Sequence, residues 1–175
     1  AKPASGRKVL VVGLGPAGYT LSHYLLNDGH TVVAVDGLKI EPLDATISGV
    51  QPDGSRVAFK PIRDVRELQE DLNDRAMAGF GGVAEYGITV RWDKNFLKMI
   101  RLLLERRASF AMFGGVRFGG TLTAEQAFGL GFDHVALALG AGKPTLLDMP
   151  GGLSRGVRMA SDFLMALQLT GAAKA

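Results

Sequence analysis

The chain has 175 residues, 47% of them hydrophobic, which suffices for a packed core and argues against intrinsic disorder. Its 20 basic and 17 acidic residues leave a net charge of +3, too small an excess to imply nucleic acid as a partner. With no cysteine there is no disulfide, no dithiol chemistry and no thiolate ligand for an iron–sulfur cluster.

The three histidines, His23, His30 and His134, are scattered without metal-ligand spacing, so no metal site is expected. No apolar run reaches spanning length and the N-terminus lacks a signal-peptide core, so the expected setting is cytoplasmic and away from membranes.

Residues 1–7 form a polar lead-in. Lys8-Val9-Leu10-Val11-Val12 then reads as a buried strand, followed by Gly13-Leu14-Gly15-Pro16-Ala17-Gly18. Pro16 to Asn27 carries apolar residues at Tyr19, Leu21, Tyr24, Leu25 and Leu26, which predicts a helix buried on one side and ended by Asp28-Gly29. Thr31-Val32-Val33-Ala34-Val35 is a second strand, closed by Asp36. The order is strand, G-x-G-x-x-G turn, helix, strand and acid. Gly13 permits the tight turn, Gly15 lets a phosphate approach the backbone, and Gly18 lets the helix sit close to the strand. Free N–H groups and the positive dipole end of the helix then face a pyrophosphate, and Asp36 meets ribose hydroxyls. These elements predict one dinucleotide site.

Gly49, Pro52-Asp53-Gly54 and Pro61 break the next stretch into turns, with a short strand expected at Val57–Phe59. Asp64 to Met77 has the pattern of a polar helix. Gly79, Gly81 and Gly82 precede Val83 to Ile88; paired glycines there serve either a close approach to a flat ligand or a flexible connection. Arg91 is either a pyrophosphate partner or a surface charge.

A helix capped by Asp93 and reaching about Arg107 would turn Phe96, Leu97, Ile100, Leu103 and Leu104 inward. Lys98, Arg101, Arg106 and Arg107 then form a solvated face. Ser109–Phe113 reads as a strand. Gly114-Gly115 and Gly119-Gly120 suit a hairpin or bulge and make no second dinucleotide motif. Thr123 caps a short helix through Phe128, and Asp133–Leu139 is an apolar strand expected to be buried on both faces. His134 within it is expected to be a core or edge histidine. The strand ends at Gly140-Ala141-Gly142, either placed to touch a ligand at the carboxyl ends of the sheet or a plain strand-to-loop turn. Ser161 caps a last helix to Leu169. Alternating strands and helices predict an α/β Rossmann-like domain, mainly parallel, with helices on both faces.

In this order the motifs resemble the flavin-binding half of the glutamate synthase small-subunit family, which includes the flavin domain of dihydropyrimidine dehydrogenase. The resemblance rests on Val11–Gly18, Asp36, Gly81–Ile88, Arg91, Gly131–Val135, Ala138–Gly142, Met149–Gly152 and Ala160–Leu164. It implies FAD with its pyrophosphate on Gly13, Gly15, Pro16, Ala17 and Gly18, and its adenosine ribose on Asp36 and Gly37. Gly82, Val83, Tyr86, Gly87 and Arg91 would contact the flavin side, with Val116, Gly140, Ala141 and Gly142 close by. NAD(P)H would donate electrons in the complete protein, and further oxidoreductase domains or subunits would be partners.

Three departures stand out. Asp36 replaces the family's usual glutamate, Thr89 and Asp93 stand where it favours proline, and residues 38–80 have the place of an insertion. By this likeness residues 1–175 form one FAD-binding domain, incomplete because the family's iron–sulfur module and nicotinamide domain lie outside it. No side chain stands out as a catalytic acid, base or nucleophile. Two other readings remain: an NAD(H)-binding Rossmann protein, in which Asp36 would repel the 2′-phosphate of NADP, and a non-catalytic nucleotide-binding interaction module.

Overall fold

The computed structural model describes residues 2–69, 95–140, 146–160 and 163. Within them, β1 (Lys8–Val12), β2 (Thr31–Val35), β3 (Phe110–Phe113) and β4 (His134–Leu137) form one sheet. Every pairing is parallel and the order is β3-β2-β1-β4. The helices are α1 (Pro16–Asn27), α2 (Ala45–Ser48), α3 (Asn95–Glu105) and α4 (Ala124–Gly129), with a 3-10 turn at Val65–Leu68.

The unbroken apolar run of β1 follows from its central place, since a strand with helices on both faces has no solvent side. Val9 and Val11 enter one core with Leu14, Tyr19, Leu26, Val32, Ala34, Leu104 and Phe110, beneath α1 and α3. Leu10 and Val12 enter the other with Val35, Ala127 and Phe132, beneath α4. The sheet is therefore covered on both faces, as the alternation of elements predicts.

Several local expectations hold in detail. Helix α1 starts at Pro16 and ends at Asp28, and Gly29 follows with φ +84°. Thr123 caps α4 reciprocally: its hydroxyl accepts from Gln126 N–H while the Gln126 side chain accepts from Thr123 N–H. The lead-in is tied down, with Lys2 N–H on the Asn27 carbonyl and Ser5 N–H on that of Gly29.

Others are corrected. Val57–Phe59 is not a strand; only Arg56 makes an isolated bridge, to Val50. The helix foreseen from Asp64 is a single 3-10 turn capped by Asp64 as far as residue 69, and its later part lies outside the described residues. No hairpin forms at the glycine pairs: Phe118 and Leu122 bridge in parallel sense. Strand β4 is shorter than foreseen and is not buried on both faces: Leu137 and Leu139 are exposed, and so is His134. It lies at an edge of the sheet, where period alone cannot tell a covered strand from an uncovered one. Tyr24 and Leu103 also face outward, while Leu102 is buried. Asp93 and the last helix from Ser161 fall outside the described residues, apart from Phe163.

The arginines in and just after α3 are the largest correction. They do not form a solvated face. Arg101 is buried and paired with Glu105 one turn on, Nε to Oε2 at 2.7 Å. It also donates to the Glu41 carbonyl. Arg106 donates to the carbonyls of Ile47 and Lys60 and lies 4.5 Å from the ring centroid of Phe59. Arg107 donates to Asn27 Oδ1. From the other side, Arg56 donates to the carbonyls of Glu105, Arg107 and Phe110. The residues between 41 and 60 are thus laced onto α3 and β3 by guanidinium-to-carbonyl bonds, the rigid multi-donor geometry for which arginine is suited.

Two stability predictions follow from this packing. Glu105→Ala leaves the Arg101 guanidinium buried without its carboxylate and is expected to cost about 3 kcal/mol in urea unfolding, with smaller loss in an Arg101→Met/Glu105→Leu double variant. Gly18→Ala, whose Cβ would lie 1.8 Å from the Gly13 carbonyl oxygen, is expected to lower stability by about 1–3 kcal/mol and the melting temperature accordingly.

Candidate dinucleotide site

Because all four strands run parallel and Val12, Val35, Phe113 and Leu137 are aligned in register, their carboxyl ends open on one edge. That edge gathers every described candidate: Gly13–Gly18 after β1, Asp36 and Gly37 after β2, Val116 after β3 and Gly140 after β4. The chain moves outward from β1 to β2 and β3, then returns to the other side of β1 for β4. In open α/β sheets ligands bind outside the carboxyl ends of the strands at such a reversal.

The three glycines of the turn answer different constraints. Gly13 has φ +102°, and a Cβ there would come within 2.3 Å of the Ala138 carbonyl oxygen on the adjacent β4 segment. Gly18 is required by the approach of α1 to the Gly13 carbonyl. Gly15 is not required by the fold. Its φ is −80° and a Cβ on it would meet nothing within 4 Å. The space over Gly15 is therefore room above a backbone that the described residues do not fill.

Gly15 is also the N-cap of α1 and supplies no side-chain cap. Pro16 has no N–H, and the N–H groups of Ala17 and Gly18 have no partner among the described residues. Unpaired N–H groups at a helix start, with the dipole behind them, attract an anion. The residues present fit a pyrophosphate.

Asp36 is buried and already engaged. Its Oδ2 accepts from Leu14 N–H at 2.8 Å and its Oδ1 from Leu38 N–H at 2.9 Å. A carboxylate offers about four acceptor positions, so two remain for ribose hydroxyls. The acid is thus also a tie that fixes the turn after β1 to the turn after β2. Sequence reasoning assigned Asp36 to the ribose alone and missed Leu14, whose apolar side chain is fully buried while its N–H serves the acid.

Val116 faces the second core rather than open space, and its N–H donates to the Asp36 carbonyl at 2.9 Å. Gly37 is exposed, and Gly140 has φ +65° with open space around it. Gly82, Val83, Tyr86, Gly87, Arg91, Ala141 and Gly142 lie outside the described residues. Among the described residues no group of His, Asp or Glu is placed to hold a metal, and no helix is long and apolar enough to cross a membrane.

No protein-family model matches the chain. An uncharacterized protein of Rickettsia prowazekii (strain Madrid E) is 50% identical over 171 residues, which are 98% of this chain and 23% of that protein. The chain spans about a quarter of the length of the curated relative it matches.

The tie that Asp36 makes has a measurable consequence. Asp36→Asn turns an amide donor toward a backbone N–H, so without any nucleotide it is expected to lose about 1–3 kcal/mol in urea unfolding.

Proposed function

We propose that this chain is the FAD-binding segment of a flavin-dependent NAD(P)H oxidoreductase, passing electrons from a nicotinamide through FAD to a further centre. The observation that carries the reading is Gly15: a glycine with ordinary backbone angles, facing open space, at the cap of a helix whose Ala17 and Gly18 N–H groups have no partner among the described residues. The fold gives no reason for glycine there, whereas a phosphate resting on the backbone does.

Gly13, Gly15, Ala17 and Gly18 would hold the pyrophosphate, and Asp36 with Gly37 the adenosine ribose. FAD, when bound, supplies the hydride-accepting ring, so the protein's part is position and electrostatics. Asp36 contributes twice, by offering its remaining lone pairs to the ribose and by holding Leu14 so that the glycine turn keeps its shape. The choice of FAD over NAD rests on the resemblance carried by Gly81–Ile88, Arg91 and Ala138–Gly142.

The test is a titration of the purified chain with FAD, read by visible absorbance and flavin fluorescence. Saturable binding is expected, and Gly15→Ala should weaken it at least about tenfold, near 1.4 kcal/mol, while leaving thermal melting unchanged. Binding of NAD without FAD would move the reading to an NAD(H) protein. A chain that binds neither would end it.

A further inference from the structure

A parallel ladder uses the backbone groups of alternate residues, so every second residue of an edge strand turns its N–H and C=O away from the sheet. On β3 the inner side is used by Ser109 and Phe113, whose carbonyls accept from Val32 and Asp36 N–H. Since Val32 is level with Phe110 and Ala34 with Met112, Phe110 and Met112 present theirs outward. Phe110 is satisfied on both counts: its N–H donates to the Arg107 carbonyl and its own carbonyl accepts from Arg56. Met112 is not. Neither its N–H nor its C=O has a hydrogen-bond partner among the described residues.

Met112 lies on a cavity of about 410 Å³ that runs along this edge. Ile40, Pro42, Val50 and Phe110 give it apolar walls. Arg56 closes one end at Phe110. The other is closed where the chain at Leu38–Ile40 crosses Gly114, so tightly that a Cβ on Gly114 would lie 2.4 Å from Ile40 N. The charged groups among the described lining residues are Arg56, Arg101, Asp53 and Glu105, which sum to zero. The strand itself, Phe-Ala-Met-Phe, carries none of the lysines, prolines or charges that usually protect an edge.

We propose that this slot binds a short, uncharged peptide in extended conformation, one residue of which exchanges both backbone hydrogen bonds with Met112. A single outward N–H and C=O from one residue match what one residue of an added strand offers. The neutral lining selects no charged ligand, and its apolar walls take one side chain beside the strand. The closed ends restrict the ligand to about three residues, within the range of small-molecule pockets. This proposal rests on the outer side of β3 and does not depend on FAD being the cofactor.

The experiment uses a pool of N-acetyl tripeptide amides with uncharged side chains, added to ¹⁵N-labelled chain at millimolar concentration. A saturable downfield shift of the Met112 amide proton is expected. Met112→Ala keeps the backbone and should keep binding. Met112→Pro removes an N–H that the sheet does not use, so it should fold and fail to bind. An unmoved Met112 amide in the natural chain overturns the proposal, whether or not the proline variant folds. So does equal binding by the alanine and proline variants, or a sedimenting dimer that Met112→Pro dissolves, which would make a second copy of the chain the occupant.

Discussion

Much of this structure depends on one close approach, that of the first turn of α1 to the turn leaving β1. Gly18 sits against the Gly13 carbonyl, and Gly13 in turn sits under the Ala138 carbonyl of the β4 segment. Side chains at either position would force α1 off the sheet or β4 off β1. Once those contacts close, Tyr19 and Leu26 reach the core, and the N–H groups of Ala17 and Gly18 are left without a partner among the described residues. Backbone packing and the uncapped N–H groups at the helix start are therefore consequences of the same turn.

Asp36 extends that constraint across the sheet. One carboxylate spans Leu14 and Leu38, while the Asp36 backbone pairs with Phe113 and Val116. Three chain segments, those leaving β1, β2 and β3, converge on one residue. A buried acid satisfied by backbone N–H groups keeps a polar carboxylate within a largely apolar edge at low cost, since its desolvation is offset by hydrogen bonds to the charged form. The same arrangement leaves carboxylate lone pairs that the described backbone does not use.

The residues between 41 and 60 illustrate a different logic. They add little regular structure and are held by Arg56, Arg101 and Arg106, mostly through carbonyl oxygens. Such bonds satisfy exposed ends of α3 and carbonyls of neighbouring loops without needing a ladder. They also leave the outer edge of β3 covered at Phe110 and open at Met112, which is what makes that edge chemically distinct.

The sequence by itself determined β1, α1, β2 and the cap of α4, because each rests on local signals. These are an apolar run, a proline at the first helical position, a glycine after the last and a threonine three residues before a glutamine. It also placed Gly13, Gly15, Gly18 and Asp36 at one edge, since a strand–turn–helix–strand unit admits little else. Only the tertiary structure decided which glycines the fold itself requires, since Gly13 and Gly18 are constrained by atoms from other segments or turns and Gly15 by none. Tertiary structure likewise turned Arg101 from a surface charge into a buried ion pair, and β4 from a covered strand into an edge. Burial and pairing depend on what arrives from distant parts of the chain, and periodicity carries no record of it.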